Sequence, residues 1–367
     1  MNMAPRLIST LMVVALFVFT GSVMAYPLDG YEETGIRRVE GARLANEGLA
    51  KGGSQPPGAM LTTEHVGLRL LNKDVALPPA DPAFTAQITA LLGSNADRYG
   101  IAVLDLTDLD NPRYAEHRGN HKQNVGSVGK LLVALGLFQA LADAWPDDPE
   151  QRKAVLRDTV MTADNFSISD HHTIRLFNVE TRELTRRPLA VGDKGSLWEY
   201  LDWMLSVSSN SAAAMIMRDA MLLRHFGKDY PVSEEQIKSF FSSTPRSELT
   251  KIFQQTFWEP VTRNGLPLDQ IRQGSFFTRQ GKANVSGGGN SYATARTLME
   301  FLLKMEEGAL VDEWSSRQLK RLLYMTERRI RYASSPSLKN AAVYFKSGSL
   351  YKCGPEEGFK CTAYHGN

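Results

Sequence analysis

The chain has 367 residues, 43% hydrophobic and 22% charged, and Lys+Arg 42 against Asp+Glu 40 gives a formal charge of +2. That profile excludes a wholly disordered chain, a collagen-like one and a polytopic membrane protein, and near-neutrality argues against a dedicated nucleic-acid binder. With only two cysteines, a disulfide-rich scaffold and a four-cysteine zinc site are excluded too, while the length allows one large domain or two moderate ones.

In chain order, Arg6 precedes an unbroken apolar run, Leu11 to Phe19, and Val23-Met24-Ala25 offers small residues where a signal peptidase reads. The run is short for a bilayer span, so residues 1–25 are expected to be a cleaved signal peptide and the protein periplasmic or secreted. Residues 26–80 are polar and broken by Gly and Pro, with one short helix expected from about Arg38 to Ala50, and read as an N-terminal extension. Tyr99 to Leu106 has a buried-strand pattern ended by turn formers, and Tyr114 to Arg118 is its expected hairpin partner. From Ser127 to Ala142 apolar residues recur at helical spacing on nearly every face, which predicts a helix buried almost all round.

From about 155 to 290 the chain reads as helices and long loops. Ser196-Leu197-Trp198-Glu199 is a capping box. A further helix is expected to open near Ser211, and another over Tyr292 to Glu307 with Leu298, Phe301, Leu302 and Met305 on one face. Ala341 to Phe345 reads as a strand. The order predicts an α/β layer (81–155 and 291–367) interrupted by a helical lobe (156–290), and ligands commonly sit at such a junction. Cys353 and Cys361 lie eight positions apart around Gly354-Pro355. In an exported protein they are expected to form a disulfide that staples a hairpin, worth roughly 2–3 kcal/mol by chain entropy.

Three short patterns carry chemistry. In Ser127-Val128-Gly129-Lys130 the serine and lysine share one face of a helix start, so a lysine with a lowered pKa can take the hydroxyl proton. Free N–H groups at such a start can bind a developing oxyanion. Ser208-Ser209-Asn210 interrupts the chain between two helices, where Ser208 and Asn210 can both face a cleft. Lys346-Ser347-Gly348-Ser349 ends the late strand with a cation, hydroxyls and a glycine that lets a ligand lie against the strand edge. Each alone has a plainer reading: a helix N-cap, another N-cap, an edge-strand lysine. His171-His172 has no third ligand at recognisable spacing and reads as surface histidines, so no metal and no cofactor is expected. The glycines at 287–289 lack the residues of a phosphate loop.

Taken in order, Ser-x-x-Lys, Ser-x-Asn and Lys-Ser-Gly resemble the penicillin-recognising serine enzymes, above all class A β-lactamases and their D,D-peptidase relatives. The flanks SLWEYLDWMLSVSSNSAAAMIM, GKLLVALGLFQAL and SYATARTLMEFLLKM are similar to stretches of that family. The resemblance implies a β-lactamase/transpeptidase-like fold, an antiparallel sheet flanked by helices with an inserted all-α lobe. It implies Ser127 as nucleophile, Lys130 as proton acceptor and Ser208 as a relay to the leaving nitrogen. Asn210 would bind the substrate amide, Lys346, Ser347, Gly348 and Ser349 would hold its carboxylate, and the N–H groups of Ser127 and Ser349 would form an oxyanion hole. The implied partner is a β-lactam or peptidoglycan-stem molecule, with no nucleic acid, and the protein is expected to be a monomer. Two departures stand out. The only echo of the family's deacylating glutamate is Glu259, at a longer spacing than the family's. The chain also ends at Asn367, soon after the third motif, where the family's last strands and C-terminal helix would follow, and so reads as shortened.

Overall fold

The computed structural model describes residues 28–52, 55–326 and 335–349. The expected signal peptide and the Cys353–Cys361 pair lie outside them. Two helices come first among the described residues, α1 (Tyr31–Thr34) and α2 (Arg37–Asn46), and α3 (Pro82–Leu92) follows a long connection. Asp81 starts α3 by accepting the N–H groups of Ala83 and Phe84, with Pro82 at the first position, where its missing donor costs nothing. Strands β1 (Ile101–Asp105) and β2 (Arg113–His117) pair antiparallel, Val103 opposite Ala115, in the hairpin expected from the sequence, though β1 is half-buried throughout rather than fully buried.

Behind this hairpin lies the helical core. Residues 126–129 form a 3-10 turn that runs into α4 (Lys130–Ala144), and α5 (Pro149–Asp158) returns. The lobe follows, mainly helical: α6 (Leu197–Leu205), α7 (Asn210–Phe226), α8 (Glu234–Ser243), α9 (Arg246–Phe257), α10 (Glu259–Arg263) and α11 (Arg279–Asn284). It also carries four short strands in stretches the sequence reading placed in loops. These are β3 (Val160–Thr162), β4 (Thr173–Phe177), β5 (Leu184–Pro188) and β6 (Lys194–Ser196), pairing β3 with β6 and β4 with β5. The turn between β4 and β5 is built by Asn178, whose Oδ1 accepts from the N–H groups of Glu180 and Thr181. Helix α12 (Ala295–Glu306) then packs on β1, and α13 (Glu313–Tyr324) packs on α12 and α6.

The core sits where α7 crosses α4, α6 and α9. Alanines on α7 (Ala212, Ala213, Ala214, Ala220) are fully buried and let the helices approach, while Trp198, Trp203, Phe253 and Phe257 fill the spaces between them. The capping box of α6 is formed: Glu199 N–H donates to Ser196 Oγ, and Ser196 N–H to Glu199 Oε2. The N-terminal helices are bolted to this core by charge. Arg38 makes a two-pronged pair with the buried Asp202, at 2.5 and 2.6 Å, and Arg37 pairs with Glu199 at 2.8 Å.

Two expectations need correction. Among the described residues Ala341–Phe345 forms no strand and lies against the C-terminal end of α13. Phe345 N–H donates to Leu323 O, and Thr326 Oγ1 donates to Phe345 O. On α12, Leu302 points outward at 37% exposure while Leu303 is buried, since the helix begins at a Thr294 cap and sets its inner stripe from there.

Candidate active site

A cleft of about 720 Å³ opens between the lobe and the hairpin side, and Ser127, Ser208, Asn210, Ser347 and Ser349 all line it. Close backbone approach brings the separate motifs together. A Cβ on Gly348 would sit 2.2 Å from Val125 O, and one on Gly126 would sit 2.8 Å from Ser349 O. Gly126 also has φ +50°, a left-handed conformation that glycine adopts without strain. The glycines thus let residues 346–349 lie directly along the turn that carries Ser127.

Lys130 is fully buried at the first position of α4, and its Nζ meets four oxygens. It lies 2.9 Å from Ser127 Oγ, 2.8 Å from Ser208 O, 2.7 Å from Asn210 Oδ1 and 3.3 Å from Ser208 Oγ. Burial, with the charge of Lys346 behind it, pushes its pKa well below the ordinary lysine range, and Asp170 opposes only in part. A neutral amine has two N–H donors and one lone pair. Ser208 O and Asn210 Oδ1 only accept, so they take the two donors and leave the lone pair facing Ser127 Oγ–H. The same choice turns Asn210 Nδ2 away from Lys130.

Lys346 Nζ donates to Ser208 Oγ and Ser347 O, both at 2.8 Å. Burial pushes its pKa down to about 7. Ser208 therefore sits between two lysines, and it does so at φ +65°, an uncommon conformation for a residue with a side chain. The hydrogen bonds from Lys130 Nζ to Ser208 O and from Ser209 N–H to Trp203 O hold that turn.

The sequence reading missed the group that anchors this turn. Asp170 Oδ2 accepts from Ser209 Oγ at 2.8 Å and from the N–H groups of Asn210 and Ser211 at 2.7 and 3.0 Å. Its Oδ1 accepts from His172 Nδ1 at 2.6 Å. Burial alone would raise its pKa, but the hydrogen bonds from His172, Ser211 and Ser209 outweigh it and hold the carboxylate below its usual range. An aspartate before a loop is an ordinary signal, and nothing local to it points to a helix start some forty residues on. His171, exposed as expected, and the partly buried His172 both line the cleft. With Asp170 their ligand atoms lie within 4.8 Å of one another, but Asp170 already spends both oxygens on Nδ1 of His172 and on the start of α7.

Glu259 is not at the cleft. It opens α10 and pairs with Arg224 at 3.0 Å and with Arg263 at 3.7 Å, and both arginines also bind Asp143. Asp143 lies thirteen residues along α4 from Lys130, about 20 Å at 1.5 Å per residue. The glycines at 287–289 serve packing: a Cβ on Gly287 would meet Gly274 O at 2.1 Å, and one on Gly288 would enter the Trp258 ring. They press the loop against residues 272–275, which form the wall beside Ser127.

A family model described as the beta-lactamase enzyme family matches residues 83–359. The chain belongs to this family. No curated protein matches. Among solved structures it is similar to PBP-A, at 15% identity over 69% of this chain and 73% of that one, with a TM-score of 0.40. A PBP-A variant captured as an acyl-enzyme complex with penicillin-G gives 16%, 69%, 73% and 0.42. The beta-lactamase from Sphaerobacter thermophilus gives 12%, 68%, 72% and 0.42. As a member of the beta-lactamase enzyme family the chain is a serine hydrolase of α/β class.

Proposed function

We propose that this beta-lactamase-family protein opens β-lactam amides through an acyl-enzyme on Ser127. The observation that carries the reading is the fully buried Lys130 Nζ, 2.9 Å from Ser127 Oγ and otherwise in contact with the acceptor-only Ser208 O and Asn210 Oδ1. Lys130 takes the Oγ proton as Oγ bonds the lactam carbonyl carbon. The C–N bond breaks, and the nitrogen receives a proton from Ser208 Oγ, which Lys346 or Lys130 resupplies. Lys346, Ser347, Gly348 and Ser349 receive the substrate carboxylate, Asn210 Nδ2 its amide oxygen, and the N–H groups of Ser127 and Ser349 the oxyanion. The signal-like N-terminus supports a periplasmic or secreted site of action, and the near-neutral chain a small-molecule substrate rather than a nucleic acid.

A second reading, a peptidoglycan D-Ala-D-Ala peptidase that binds penicillin, is favoured by one observation: among the described residues that line the cleft none is a carboxylate. Both readings are tested by incubating the protein with a chromogenic cephalosporin and with penicillin, following turnover and weighing the intact chain. Turnover identifies a β-lactamase, and a lasting adduct identifies the peptidase-like binder. Ser127→Ala is expected to abolish both signals. No adduct and no turnover would leave a non-catalytic binding module on the same fold.

A further inference from the structure

We infer that Lys282 makes the cleft prefer acyl donors with a second carboxylate, carried on the acyl side chain, an inference that rests on the proposed acylation and names its substrate class. Lys282 sits on α11, lines the cleft and is exposed, and among the described residues it has no ion-pair partner. No described residue lining the cleft is a carboxylate, so nothing there balances its charge. A second cation stands behind the same wall. Arg272 stacks between the Trp258 and Tyr292 rings, 4.9 Å from each centroid, and has no carboxylate partner among the described residues. It lies against the cleft-lining Gly289, where a Cβ would be 3.6 Å from its Nη2. A cleft walled by one sign of charge concentrates ligands of the other.

Hydrogen bonds between segments put Lys282 on the acyl side of the site. Ser211, next to Asn210 at the start of α7, donates its Oγ to Ser167 O, and Thr278, which caps α11, donates its Oγ1 to Phe166 O at 2.7 Å. The turn at 165–167 therefore joins the start of α7, with Asn210, to the start of α11. Lys282 follows one helical turn later, its N–H donating to Thr278 O at 3.2 Å. Residues 346–349 lie instead along the Ser127 turn. In the proposed complex that segment takes the carboxylate of the leaving-group half, and Asn210 takes the side-chain amide. Lys282 is thus the cleft cation on the Asn210 side, where the acyl side chain lies. Preference between two substrates is a difference of affinities, so one added charge pair is enough to set it.

The test compares penicillin-G with its analogue bearing a carboxylate on the side-chain α-carbon, two ligands that differ in that group alone. The second-order acylation rate constant is measured for each on the full chain, as adduct formation by intact mass or as kcat/KM where turnover is seen. The ratio of analogue to penicillin-G is the readout, so a general effect of a substitution on acylation cancels. Lys282→Met is expected to lower the ratio about two- to fivefold from wild type, the scale of one solvated charge pair. Lys282→Glu should lower it further by like-charge repulsion. High salt should bring the wild-type ratio down towards that of Lys282→Met. The side chain is exposed, so both variants are expected to unfold at the wild-type temperature. A ratio that fails to fall in the two variants overturns the inference and leaves the proposed acylation standing. Wild-type protein that reacts with neither ligand overturns the acylation itself, and the inference falls with it.

Discussion

At the scale of single residues, the two lysines are the groups whose chemistry depends most on where they sit. Lys346 is held at a pKa of about 7 by burial. The protonated form, which attracts a carboxylate, therefore prevails below that pH in the free protein and is lost above it. For a β-lactam bearing a carboxylate, kcat/KM (or the acylation rate constant) is expected to fall as pH rises through about 7. The limb in kcat should lie higher, because a bound anion favours the protonated lysine. Lys346→Ala should remove the limb along with most of the affinity, as read by pH-dependent stopped-flow acylation. The same shift makes stability rise between about pH 7 and the ordinary lysine range. There the unfolded chain keeps a proton that the folded one has released.

At the scale of elements, the site depends on how closely backbones pass, and the glycines mark the places. Residues 125–126 and 348–349 approach so tightly that a side chain on either glycine meets carbonyl oxygen. Gly348→Ala is expected to push the Lys346–Ser349 segment off the Ser127 turn. Acylation should drop at least tenfold while thermal stability changes by no more than a few degrees, because the segment carries little of the buried core. Parallel measurement of adduct formation and thermal unfolding checks both halves. Asp170 does a related job for the other wall. By binding the start of α7 it lets Ser208 keep a left-handed conformation between two lysines, so a loop before β4 organises a motif on a different helix pair.

At the scale of the whole molecule, charge ties the N-terminal helices to the catalytic core. Asp202 is completely buried, and its charge is matched by Arg38 in a two-pronged pair. Arg38→Ala would strand that carboxylate, a loss of about 3–5 kcal/mol for a buried pair broken on one side. Denaturant unfolding is expected to show it, and Arg38→Met, which keeps the volume but not the charge, should cost a similar amount. If the variant is as stable as wild type, the N-terminal helices are not structural partners of α6. The salt-bridge group around Asp143, including Glu259, belongs to this scale as well, since it joins α4, α7 and α10 far from the cleft.

Local chemistry explains what was legible from the amino-acid order. The β1–β2 hairpin, the helix α4 buried almost all round, the Ser196 capping box and the motif residues Ser127, Lys130, Ser208, Asn210 and Lys346 all depend on neighbours a few positions away, and each was readable. The net charge of +2 also stands, yet it conceals two buried lysines converging on one serine hydroxyl. What only the tertiary structure decided is which distant groups meet. Glu259 had the right residue type and a plausible place in the order, but its helix faces arginines at the far end of α4. Asp170 and Gln273 had no distinguishing pattern, yet Gln273 lines the cleft and Asp170 anchors the Ser208–Asn210 turn from behind it. Side-chain periodicity encodes which face of an element is buried, whereas the identity of the group across that face is set by packing between segments tens to hundreds of residues apart.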